Sequence, residues 1–132
     1  MILNEENSLL KATEATGKSF LLVEDEALIR MMLADMLEEL GHRVTAEAGS
    51  LAEALSLARD AAFDIAILDI NLAGSVSVPA AEVIAERGIP FLFASGYSEA
   101  GLPRALGDRP MLRKPFQLKE LQGAIRALLG AG

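Results

Sequence analysis

Phe63-Asp64-Ile65-Ala66-Ile67-Leu68-Asp69-Ile70-Asn71 is the stretch whose reading decides the fold. The apolar run from Ile65 to Leu68 is too short for a helix of its own, and β-branched Ile65 and Ile67 suit a strand buried on both faces. A carboxylate, Asp69, then stands where that strand should end. In open parallel sheets the carboxyl ends of the strands line the ligand crevice, so an acid there is a candidate functional group. Taken alone, Asp69 would more simply start a turn; the rest of the chain changes that balance.

Working outward, the same pattern recurs. Phe20 to Val23 is a first buried strand that runs directly into Glu24-Asp25-Glu26. Leu28/Ile29, Met32/Leu33, Met36/Leu37 and Leu40 follow at helical spacing, and Gly41 supplies a stop. Arg43 to Ala48 reads as a weaker second strand. Ser50-Leu51-Ala52-Glu53 is a capping-box pattern opening a second helix with Leu51, Ala54, Leu55 and Ala58 inward. Beyond the Asp69 strand, a loop through Gly74 leads to a helix with Pro79 in its first turn and its end at Gly88. Ile89 to Ala94 makes a fourth strand, with Pro90 tolerated only near its start. Arg109 to Arg113 makes a short fifth, closed by Lys114-Pro115, and a last helix carries Leu118, Leu121, Ile125 and Leu128 on one side. Between the fourth and fifth strands, Gly96, Gly101, Gly107 and Pro103 leave room for only a short or irregular fourth helix. This βα alternation predicts a doubly wound, five-stranded parallel sheet with right-handed crossovers.

Composition narrows the function classes. The chain has 132 residues, no cysteine, 52% hydrophobic residues and a formal net charge of −7. That length suits one domain with a real core. The absence of cysteine removes disulfides and thiolate chemistry and fits a reducing cytoplasm. The negative charge argues against nucleic acid or an anionic membrane as partner, because phosphate contacts need clustered Lys and Arg. No run is apolar for long enough to span a bilayer, and no signal-peptide pattern opens the chain. Residues 1–18 read as a tail or short appended helix, leaving 19–132 as the domain. Thr16-Gly17-Lys18-Ser19 resembles the end of a Walker loop, but Ala12 replaces the required earlier glycine and the strand follows rather than precedes it.

The chemistry lies at the strand ends: Glu24 and Asp25 after the first, Asp69 after the third, Ser95 after the fourth, Lys114 after the fifth. Neighbouring strands sit ~4.8 Å apart, so acids on adjacent strands converge and repel unless a cation joins them or one holds a proton. A hard divalent ion such as Mg2+ is the natural solution. With a lysine and a hydroxyl opposite, the set suits phosphoryl transfer to a carboxylate, Asp69 attacking while metal, Lys114 and Ser95 stabilise charge. Singly, each residue has a commonplace role as turn, helix cap or surface charge. Together, at four strand ends, they favour one pocket.

Glu24-Asp25-Glu26, Asp69 after its strand, Ser95, and Lys114-Pro115-Phe116 resemble the signature of bacterial response-regulator receiver domains. The resemblance runs from Ser19 to about Leu129. It implies a flavodoxin-like fold of strand order 2-1-3-4-5, with Asp69 as phosphoacceptor and Ser95 and Lys114 contacting the phosphoryl group. Glu24, Asp25, Asp69 and the Asn71 main-chain carbonyl would hold Mg2+, and the Lys114-Pro115 peptide would be cis. Pro90-Phe91-Leu92-Phe93-Ala94-Ser95-Gly96-Tyr97 is similar to the "PFxFATGY" subgroup, which includes stand-alone receivers and receivers linked to histidine kinases of the HWE/HisKA2 type. Ser95 replaces that subgroup's threonine, and Met111 stands where many receivers carry a switching aromatic, three residues before Lys114.

The resemblance implies a histidine kinase or phosphotransferase as donor and a downstream protein target, with homodimerisation left open. Only Gly130-Ala131-Gly132 follows the last helix, so signalling through protein contacts rather than an attached output domain is expected. Phosphorylation at Asp69 is expected to bias residues 96–108 through Ser95. A degenerate receiver acting unphosphorylated is the alternative. A flavin- or nucleotide-binding domain would want a phosphate-friendly loop where Glu24-Asp25-Glu26 stands. An Asp-nucleophile phosphohydrolase would want an acid where Asn71 stands.

Overall fold

The computed structural model describes residues 17–96 and 111–130. In chain order these form β1 (Ser19–Val23), α1 (Ala27–Glu39), β2 (Arg43–Ala48), α2 (Leu51–Asp60), β3 (Ile65–Asp69), β4 (Asn71–Leu72), β5 (Ser75–Val76), α3 (Val78–Glu86), β6 (Phe91–Ser95), β7 (Met111–Arg113) and α4 (Leu118–Leu129). The main sheet has the order β2-β1-β3-β6-β7, all parallel. With the two-residue strands β4 and β5 set aside, this is the expected 2-1-3-4-5. The expected short helix within 96–108, and most of the stretch thought to respond to phosphorylation, lie outside the described residues.

Alternation along the central strands builds two cores. Leu21, Val23, Ala66, Leu68, Phe91 and Phe93 face α2 and α3, where Ala54, Ala58, Ala80, Ala81 and Ile84 let the helices approach closely. Phe20, Leu22, Ile65, Ile67, Leu92 and Leu112 face α1 and α4, meeting Leu33, Leu37, Leu121 and Ile125. β1, β3 and β6 are buried along their whole length, which is why their sequences are continuously apolar rather than alternating. Each fully buried Leu, Ile or Phe contributes about 1.5–3 kcal/mol of transfer free energy, so this three-strand centre holds the domain together.

Several boundaries follow local chemistry. Ser50 caps α2 by accepting the Glu53 N–H at 3.2 Å, while the Glu53 carboxylate reaches past it to the Gly49 N–H at 2.7 Å. Pro79 sits in the first turn of α3. β6 begins at Phe91 rather than Ile89: Pro90 has no N–H to give, and its carbonyl accepts from Ala66 N–H at 3.2 Å. The segment read as a plain loop through Gly74 is instead a small antiparallel hairpin, Asn71 to Val76. Its turn residues, Ala73 (φ 51°) and Gly74 (φ 95°), both take the left-handed conformation of a type I′ turn. Alanine at the first of these positions hid the hairpin signal, which usually reads Asn-Gly or Asp-Gly.

Candidate functional site

Register converts four separated sequence positions into one pocket. Val23 pairs with Leu68, so Glu24 and Asp25 emerge beside Asp69. Asp69 pairs with Ala94, and Ser95 with Arg113, which sets Lys114 at the far side. The Lys114 N–H donates to the Ser95 carbonyl at 3.0 Å, continuing the β6–β7 ladder one step past the strand. The Lys114-Pro115 peptide is cis.

Lys114 Nζ lies 2.7 Å from Glu24 Oε1 and 3.1 Å from Asp69 Oδ2. Glu24 is 2% exposed and Asp69 9%. Glu24 Oε2 accepts the Glu26 N–H at 3.1 Å, and Asp69 Oδ1 accepts the Asn71 N–H at 3.4 Å. Burial pushes the Glu24 carboxyl above its ordinary range, against the lowering pull of its Lys114 hydrogen bond. Burial alone would lower the Lys114 ammonium; its hydrogen bond to Glu24 and the charge of Asp69 outweigh that and raise it. The lysine is therefore held charged between two acids.

Glu24, Asp25 and Asp69 each offer a carboxylate oxygen within 4.8 Å of the others. Oxygens around an octahedral ion at 2.0–2.1 Å stand about 3–4.2 Å apart, so slight closure of this all-oxygen set suits Mg2+ better than a softer metal. Asp25, Asp69, Asn71 and Lys114 open onto a cleft of about 430 Å³, with Glu26, Ile29, Ala73, Gly74 and Gly96 completing its wall. Glu24 lies behind that surface. Ser95 is buried at the β6 end, one residue before the lining Gly96. Glu24, Asp25, Asp69, Asn71, Ser95 and Lys114 thus fall at or immediately beside one cleft. The contributions of Ile29 and of the hairpin residues Ala73 and Gly74 were missed, because apolar and small residues carry no chemical signature of their own.

The response regulator receiver domain model matches residues 20–126. The chain belongs to that family. Among curated relatives, the receiver is 37% identical over 118 residues to the transcriptional regulatory protein PdtaR of Mycobacterium tuberculosis, covering 86% of this chain and 58% of PdtaR. The chain therefore spans little more than half of that relative's length. Among solved structures it is similar to SdrG from Sphingomonas melonis Fr1, at 44% identity and a TM-score of 0.76, covering 86% of this chain and 97% of SdrG. It also resembles the receiver domain of the sensor histidine kinase PA1611 from Pseudomonas aeruginosa PAO1, at 26% identity and a TM-score of 0.74, covering 86% of this chain and 98% of that one. That structure holds a magnesium ion coordinated in its active-site cleft.

Proposed function

We propose that this receiver is a phosphoacceptor of a two-component or phosphorelay system. An Asp69 carboxylate oxygen attacks the phosphorus of a phosphohistidine on a kinase or phosphotransferase; the P–O bond forms as the P–N bond breaks, and the leaving imidazole nitrogen takes up a proton. Lys114 neutralises charge gathering on the phosphoryl oxygens, and Ser95 donates a hydrogen bond to one of them. Glu24, Asp25, Asp69 and the Asn71 carbonyl are the groups to hold Mg2+, which when bound would offset the negative charge of donor and acceptor. The observation that carries this reading is the Lys114 ammonium 3.1 Å from Asp69 Oδ2, inside a cluster of three carboxylates.

The Pro90–Tyr97 wording favours the "PFxFATGY" subgroup, with a donor kinase of the HWE/HisKA2 type. A cytoplasmic setting fits the lack of cysteine, and among the described residues no helix is long and apolar enough to cross a membrane. Output is to a downstream protein, without turnover of a small-molecule substrate. Incubation with acetyl phosphate or phosphoramidate and Mg2+, followed by intact mass measurement, should add one phosphoryl group to the parent and none to Asp69→Asn. A folded parent that gains no mass, or an Asp69→Asn variant that gains as much, would sink the proposal.

A further inference from the structure

We infer that Arg30 is a positioning residue for the acidic pocket: from outside the cleft it fixes the Glu24–Asp25 peptide, and with it the aim of the Asp25 carboxylate. The inference rests on the reading of that pocket as a Mg2+ and phosphoryl site. Arg30 lies in the first turns of α1, its own N–H bonded to the Glu26 carbonyl at 3.0 Å. Its side chain turns back toward the end of β1. There Nη1 donates to the Glu24 carbonyl at 2.5 Å, and Nε to Glu47 Oε1 at 3.0 Å. Its side chain is 22% exposed, against 48% for that of Glu47, so the guanidinium is the more sheltered member of the pair.

Glu24 is otherwise tied at every polar atom. Its N–H donates to the Ala48 carbonyl at 3.0 Å, Oε1 accepts from Lys114, and Oε2 from the Glu26 N–H. The carbonyl is what remains, and it shares a rigid plane with the Asp25 nitrogen. Turning that plane would swing Asp25, whose carboxylate stands within 4.8 Å of those of Glu24 and Asp69. A charge-assisted donor on the oxygen opposes the swing. The β2–α2 turn makes the slot: a Cβ on Gly49 would stand 3.2 Å from Nη1 and 3.7 Å from Glu53 Oε1. The glycine therefore leaves the guanidinium its place, and its N–H is held by Glu53.

The test is a MgCl2 titration of the full chain followed by backbone amide shifts, alongside thermal unfolding in EDTA. Arg30→Met, which keeps the apolar stem, should bind Mg2+ about tenfold more weakly while the metal-free midpoint moves by only a few degrees. Arg30→Lys, a charged donor without the fork, should recover part of the loss. Gly49→Ala should weaken binding by roughly threefold in the parent and by nothing further in Arg30→Met, since both act through one contact. If the parent takes up no Mg2+, the pocket reading fails and this inference with it. If the parent binds and Arg30→Met binds equally well, the pocket reading stands and the role of Arg30 is overturned. Additive losses in the double variant, or a lysine that recovers nothing, would overturn it too. Should Arg30→Met not fold, Arg30→Leu takes its place, and parental Mg2+ affinity there rejects the inference.

Discussion

His42 is the only histidine in the chain, and its ring lies against Phe20 with centroids 5.2 Å apart. Its Nδ1 accepts the Lys18 N–H at 3.1 Å, a bond that needs the nitrogen unprotonated. Burial, and secondarily the charge of Lys18, hold its pKa below the ordinary 6.5. A folded-state pKa below the unfolded one means that the unfolded chain binds the proton first. The stability involved is present above pH 6.5 and is lost as pH falls through the folded value. Glu24 has the opposite sign, its folded pKa being raised, so the two partly offset each other in acid. Subtracting a variant isolates the histidine. His42→Phe keeps the ring but cannot accept, and its urea midpoint should fall less than the parent's between pH 7 and about 5. Parallel midpoints across that range would remove His42 from the account.

On the scale of elements, α1 shows how far spacing alone can be followed. Its apolar pairs predict a helix, and Leu33 and Leu37 are buried against Phe20 and Leu22 as expected. Leu28 and Met32 belong to the same apolar pairs, yet they are 75% and 60% exposed, and Met31 is 61% exposed. At 100° per residue, Leu28 and Met31 point about 140–160° away from Leu33, toward solvent. Leu33→Ala should therefore cost about 2–4 kcal/mol in urea unfolding, whereas Leu28→Gln and Met31→Gln should stay within roughly 0.5 kcal/mol of the parent. Equal losses at Leu28 and Leu33 would mean that α1 is rotated from the position described. The same contrast explains what the sequence made legible. Strand ends, caps and punctuating glycines each carry a local cause, so Asp69, Ser50 and Gly88 were readable where they stand. The Asn71–Val76 hairpin depended on alanine adopting a positive φ, and the Arg30–Glu24 contact on two elements meeting. Neither leaves a mark in the residues nearby.

For the molecule as a whole, the sheet gathers three acids at one end. Glu24, Asp25 and Asp69 share one end of the sheet in a chain already carrying a formal charge of −7, and Lys114 is the cation bonded to two of them. A divalent ion taken up there would bind the folded chain, because unfolding scatters Glu24 and Asp25 from Asp69, which the fold brings together from separate strands. Linkage then sets the size of the effect. At tenfold excess over its dissociation constant, Mg2+ should add about 1.4 kcal/mol of stability, which raises the thermal midpoint by a few degrees. General screening of so acidic a chain would also stabilise it, so NaCl at matched ionic strength is the necessary control. The gain should appear with MgCl2 beyond the NaCl baseline, reverse with EDTA, and shrink sharply in Asp25→Asn, which removes one carboxylate charge without touching the Lys114 contacts. If MgCl2 and matched NaCl raise the midpoint equally, the convergence of these acids is electrostatic strain that the fold merely tolerates, and the pocket loses its claim to a metal.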